Sequence, residues 1–87
     1  MSKKEIETAG RIIASYFVNM EKYKAYGMDD EYTRENTYYK SYKEKLHNML
    51  VMKWEVVGMG DYEKEVIKVE QKIFTVAADI YGQEKAA

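Results

Sequence analysis

The chain has 87 residues, no cysteine and no proline, with 14 basic side chains against 15 acidic ones. That length suits one domain with a thin core, since a chain of this size buries only about 60% of the surface its unfolded form exposes. Without cysteine there is no disulfide, cysteine nucleophile or zinc–thiolate site, and a net charge of −1 gives no overall attraction to nucleic acid or anionic lipid.

The first element opens on Ser2-Lys3-Lys4-Glu5, a capping-box sequence in which serine and glutamate satisfy each other's free backbone amides. Ile6, Ala9, Ile13, Tyr16, Met20 and Tyr23 follow at alternating spacings of three and four, the stripe of an amphipathic helix, widened by Ile12 and Phe17. Gly27 after Tyr26 is a stop signal, so the first helix is expected over about 3–26. Asp29 or Asp30 is the expected cap of a second helix over about 30–57, with Glu31 in the first turn, where the helix dipole favours negative charge. Its stripe is Tyr32, Tyr39, Tyr42, Leu46, Met49, Leu50 and Val57. Val51, Trp54, Val56 and Val57 favour strand locally, but no other segment alternates to pair with them, so helix is preferred there. Gly58-Met59-Gly60 is expected to break the chain and Asp61 to cap a third helix over about 62–81, ended by Gly82. Tyr62, Val66, Val69, Ile73, Val76 or Ala77, and Ile80 form its stripe, and Ile67, Phe74 and Tyr81 a second row. Short connections make neighbouring helices antiparallel, so the expected fold is an all-α, three-helix, up-down-up bundle forming a single domain. The double row on the third helix and the length of the second favour a homodimer.

Several chemistries lack their residues. The only histidine is His47, Ser2 is a cap, and Ser15 and Ser41 fall mid-helix, so no triad is expected and the chain reads as non-enzymatic. Gly58-Met59-Gly60 lacks the further glycine and lysine of a phosphate loop. Glu44-Lys45-Leu46-His47 has the Glu-x-x-His spacing of di-iron bundles, but one copy is present. A metal would need a second chain, with Glu63 or Glu70 as added carboxylates, and the expectation is no metal and no cofactor. The longest apolar run, Ile12 to Met20, falls well short of the roughly 20 residues of a spanning helix, and no signal-peptide pattern opens the chain; a cytoplasmic protein is expected.

Two surfaces remain. Seven of nine tyrosines lie between Tyr16 and Tyr42, and tyrosine joins large apolar area to one polar handle, the chemistry of protein interfaces. Tyr23, Tyr26, Asp29, Asp30, Glu31 and Tyr32 would make an apolar corner with an acidic rim, and Trp54 belongs to a second candidate surface at the opposite end. The function expected on this ground is protein interaction, in concrete form a phage or mobile-element inhibitor of a host machine. The alternative is nucleic-acid binding through Tyr38, Lys40, Lys43, Lys45 and Lys53, where residues 37–54 carry a net +3. Residues 28–36, holding Asp29, Asp30, Glu31 and Glu35 against Arg34, carry −3.

Overall fold

A computed structural model describes residues 1–57 and 62–86, with backbone alone for 54–57, 62 and 86. Its elements are α1 (Lys3–Ala25), α2 (Asp29–Val57) and α3 (Tyr62–Ala86), and Val51 to Val57 continues α2 as helix. The glycine break at 58–60 and the Asp61 cap lie outside the described residues. No described helix is long and apolar enough to cross a membrane.

The start of α1 is the expected capping box: the Glu5 amide donates to Ser2 Oγ at 3.2 Å, and the Ser2 amide donates to Glu5 Oε1 at 3.3 Å. Its end is a Schellman turn. The Met28 amide donates to the Tyr23 carbonyl at 2.8 Å and the Gly27 amide to that of Lys24 at 3.2 Å, while Gly27 takes φ 70°, which a side chain would resist. This closure brings α2 in one residue early. Asp29 is itself the first helical residue, so neither it nor Asp30 occupies the flanking position; that place falls to Met28, whose carbonyl accepts from the Tyr32 amide. All three acids therefore lie in the first turn, where the dipole favours them.

Helix α2 runs antiparallel to both neighbours. Asn19 Nδ2 donates to Glu35 Oε1 at 3.1 Å, and Tyr16 contacts Tyr42, so positions rising along α1 meet falling positions along α2. In the same way His47 meets Glu70, and Lys43 meets Phe74, across α2 and α3. Helices α1 and α3 are parallel, with Gly10 against Val76 and Glu21 against Lys85.

The buried core consists of Ala9, Ile13 and Ala14 on α1, Leu46 and Leu50 on α2, and Val66, Ile73 and Ala77 on α3. The sequence stripes supply most of it, but not Gly10 and Ala14. A Cβ built on Gly10 would lie 2.6 Å from Val76 Cγ1, 2.9 Å from Val76 Cβ and 3.3 Å from the Ala77 amide nitrogen. Gly10 is therefore what allows α1 and α3 to approach as they do. Two positions expected on apolar faces fall elsewhere. Met49 is exposed and Ile67 more so, because α2 gives its buried arc to Leu46 and Leu50 and α3 gives its own to Val66 and Ile73. Gly82 does not end α3, which continues four residues further, to Ala86. The added turn is held on α1: Lys85 Nζ lies 3.2 Å from Glu21 Oε1 and 5.7 Å from the Tyr81 ring centroid, and the Tyr81 hydroxyl donates to Glu21.

Two glycines separate these effects. Gly82 has no atom within 4 Å of an added Cβ, so Gly82→Ala is expected to stabilise by about 0.5–1 kcal/mol through helix propensity alone. At Gly10 the same gain is opposed by a rigid β-branched side chain, and Gly10→Ala is expected to destabilise by about 1–3 kcal/mol. Adding Val76→Ala should recover part of that loss. Urea denaturation measures all three, and a Gly10→Ala protein as stable as Gly82→Ala would refute the close-approach account.

Candidate functional site

The tyrosines of α1 and α2 divide between the seam and the surface. Tyr16 packs against Tyr39 and Tyr42 with ring centroids 6.2 and 6.1 Å apart, and Phe17 lies 5.2 Å from Tyr39 and 6.1 Å from Tyr81 in edge-on geometry. These rings are half-buried edges of the core rather than its centre. Burial raises the hydroxyl pKa of Tyr39 above its ordinary value, and burial with the neighbouring Tyr16 raises that of Tyr42.

The seam between α2 and α3 is more polar. Lys43 Nζ sits 5.7 Å from the Tyr39 centroid and 5.9 Å from that of Phe74, bridging the two helices by cation–π contact. His47 Nδ1 lies 2.6 Å from Glu70 Oε1. That contact uses the one histidine within the chain, and Glu44 is exposed on the helix surface. Among the described residues no three His, Cys, Asp or Glu side chains gather closely enough to hold a metal ion.

With α2 occupied on this side, its other flank is left open. A groove of about 460 Å³ runs between the amino-terminal half of α1 and the carboxy-terminal half of α2. Met1, Thr8, Ala9, Tyr42, Leu46 and Met49 line it, and Lys4, Glu5 and Lys45 form its rims. Met49 is 49% exposed, and along the same face of α2 lie Tyr38 at 53% and Met52 at 64%. Lys53 reinforces the positive rim. It holds the Met1 amino group below its ordinary pKa, first through a hydrogen bond and then, after burial, through its like charge. Among the described residues Lys4, Lys45 and Lys53 enter no ion pair.

The residues singled out in the sequence are distributed as follows. Tyr23, Tyr26, Asp29, Asp30, Glu31 and Tyr32 do meet at one end, around the Schellman turn. Tyr26 is 73% exposed, Met28, Asp29 and Asp30 are exposed, and Tyr23, Glu31 and Tyr32 are half-buried. Trp54 lies in the last turn of α2, about 33 Å along the helix from Tyr32 at 1.5 Å per residue, and its side chain is outside the described residues. The basic set divides across α2: Lys45 lines the groove, Lys53 acts on the charge of Glu5 at its rim, Lys43 is drawn into the α2–α3 seam, and Tyr38 and Lys40 are exposed. A separate hollow of about 700 Å³ between α1 and α3 collects Lys3, Lys68 and Lys72, with Lys68 paired to Glu65 at 3.5 Å and no aromatic ring in its lining.

Sequence reasoning missed the groove itself. Met1 and Thr8 carry no stripe signal, and Met49 fits the core stripe as well as a surface. One signal was present: Tyr38, Tyr42, Lys45, Met49 and Met52 recur at spacings of four, three, four and three, a second stripe beside the buried one.

No protein-family model, curated protein or solved structure significantly matches this chain.

Two titrations test the local chemistry. Because the folded state keeps Tyr39 and Tyr42 protonated past pH 10, stability is expected to be flat below that value and to fall above it, until the folded hydroxyls themselves ionise. Tyr39→Phe with Tyr42→Phe should flatten the decline. Glu5 behaves oppositely. Its hydrogen bonds with the Ser2 side chain and backbone, aided by Lys53, hold its pKa below 4.5, so the capping box stabilises above that pH and is lost as pH falls through the depressed value. Glu5→Gln should remove this acid limb, and Ser2→Ala should cost about 1 kcal/mol at neutral pH. Unchanged pH profiles in these variants would contradict the assignments.

Proposed function

We propose that this chain is a non-enzymatic protein-interaction domain whose recognition surface is the groove between α1 and α2. The observation that carries this reading is the run of exposed Tyr38, Met49 and Met52 beside a lysine-rimmed apolar channel. Large apolar side chains in a contiguous exposed patch mark interaction surfaces, and methionine and tyrosine suit them because one adapts its shape and the other adds a polar handle. An open groove flanked by two helices fits an amphipathic helix, with apolar side chains along its floor and acidic ones against Lys4, Lys45 and Lys53. The acidic corner at Tyr26, Met28, Asp29 and Asp30 offers a second contact point, suited to a basic patch. Inhibition of a host machine by a phage or mobile element is the concrete form proposed for the activity, since a small domain of this kind acts by covering a partner's surface.

Nucleic-acid binding has less support. Lys43 is engaged with Tyr39 and Phe74, and Lys45 and Lys53 border an apolar channel that Glu5 shares.

Affinity capture with the tagged protein, with and without nuclease, tests the reading. A protein retained after nuclease, whether a second copy or another chain, is expected to be lost with Met49→Lys and Met52→Lys. It should be retained with Ile67→Lys, a control at an exposed apolar position of α3. Capture unaffected by the methionine substitutions would reject the groove. Capture that vanishes with nuclease would favour the lysines.

A further inference from the structure

We propose that the hollow between α1 and α3 lined by Lys3, Lys68 and Lys72 is a binding site for a phosphate monoester, a dianion carried on an aliphatic body. It shares only Met1 with the α1–α2 groove and does not depend on the reading of that groove as an interaction surface.

The first ground is the company these charges keep. The α1–α2 groove sets Glu5 with Lys4 and Lys45, the hollow at Arg11 holds Glu7, Asp79 and Glu84, and the one at Tyr26 holds Glu21 with Lys22 and Lys85. Each of these brings both signs of charge together. The hollow of about 700 Å³ at Lys3, Lys68 and Lys72 has no carboxylate in its lining.

The second ground is that the fold gives these lysines no account of their own. Lys3 is the first residue of α1, where the positive end of the helix dipole disfavours a cation, and Glu7, one turn on, lines the Arg11 hollow instead. Lys68 and Lys72 stand one turn apart on α3, a like-charge pair that weakens a helix. Lys68 is relieved by Glu65, 3.5 Å away on the same helix. Lys72 has no such relief, since the residues three and four positions from it are Lys68, Val69, Thr75 and Val76. A pattern that costs the helices and is not repaid within the chain marks a place where function set the sequence.

The lining also selects the ligand. Three ammonium groups with one of them paired leave two charges unmatched. A phosphate monoester carries about −1.5 to −2 near neutral pH and matches them, whereas each diester of a nucleic-acid backbone carries a single charge. Lysine meets phosphate as a point charge on a flexible stem, so ammonium groups from two helices can reach different oxygens of one group. Gln71 adds an amide donor. Ile6 and Val76 supply apolar surface for an aliphatic ester, and the lining has no aromatic ring on which a base would stack.

Titration of the isotopically labelled full chain with butyl phosphate, at mildly alkaline pH and fixed ionic strength and followed by NMR, tests the proposal. Amide signals around Lys3, Lys68, Gln71 and Lys72 should shift and saturate, while those around Lys22 and Lys24, in the last turn of α1, should not. Lys72→Gln should weaken binding by about tenfold or more, and Lys24→Gln should leave it unchanged. Dibutyl phosphate, with one charge, should bind about tenfold more weakly than the monoester. Without phosphate, Lys72→Gln should resist urea at least as well as the wild type, because it removes a crowded charge. A less stable Lys72→Gln protein would assign the lysine to the fold and overturn the proposal. No saturable shift, equal shifts at Lys22 and Lys24, or equal binding of the diester would each overturn it as well. None of these outcomes bears on the α1–α2 groove, whose test is capture that depends on Met49 and Met52.

Discussion

The approach of α1 to α3 at Gly10 is the constraint on which the remaining packing depends. Val76 occupies the space where a Cβ would stand, and Ala14 and Ala77, buried nearby, are small as well. A seam of small side chains brings two helices close but contributes little apolar volume. The bulk of the core must then come from Ile13, Leu46, Leu50, Val66 and Ile73, and the aromatic rings close it at its edges. Helix α2 joins this core with two buried leucines and half-buried tyrosines. Among the described residues it meets α3 through a cation–π bridge and a histidine–glutamate contact, with half-buried Val51 packed on the core beside them. That division of labour leaves one flank of α2 apolar and without a covering element of its own.

The parts of this arrangement that could be read from the sequence are those with strong local causes. The capping box at Ser2, the left-handed Gly27 and the α1 stripe depend on neighbours within a turn, and all three stand as expected. What escaped the sequence depends on pairs far apart in the chain. Gly10 carries no hydrophobic signal, and its importance lies wholly in Val76. Gly82 has the chemistry of a helix stop, yet Tyr81 and Lys85, both engaged with Glu21, hold α3 helical beyond it. A helical period also cannot say which of two adjacent stripes will be buried when both are apolar. On α2 the stripe through Leu46 and Leu50 faced the core, and the one through Tyr38, Met49 and Met52 became surface. The acidic corner was legible because it is contiguous in sequence; the groove was not, because half of it comes from α1.

The charge order of α2 has one ordinary explanation, and it covers only half the helix. Asp29, Asp30 and Glu31 in the first turn stabilise the positive end of the helix dipole and require no partner. The matching rule for the other end would place lysines in the last turn, and the last turn of α2 contains none. Its basic residues lie earlier, among 40–53. Lys43 is accounted for by the rings of Tyr39 and Phe74. Lys53 acts on Glu5 and the Met1 amino group. Lys45 has no such account: it is exposed, lies too far from the helix end to act on its dipole, and lines the apolar channel. A lysine beside an apolar groove extends its methylene stem over the floor and leaves its ammonium at the rim, where it selects for negative charge on whatever enters.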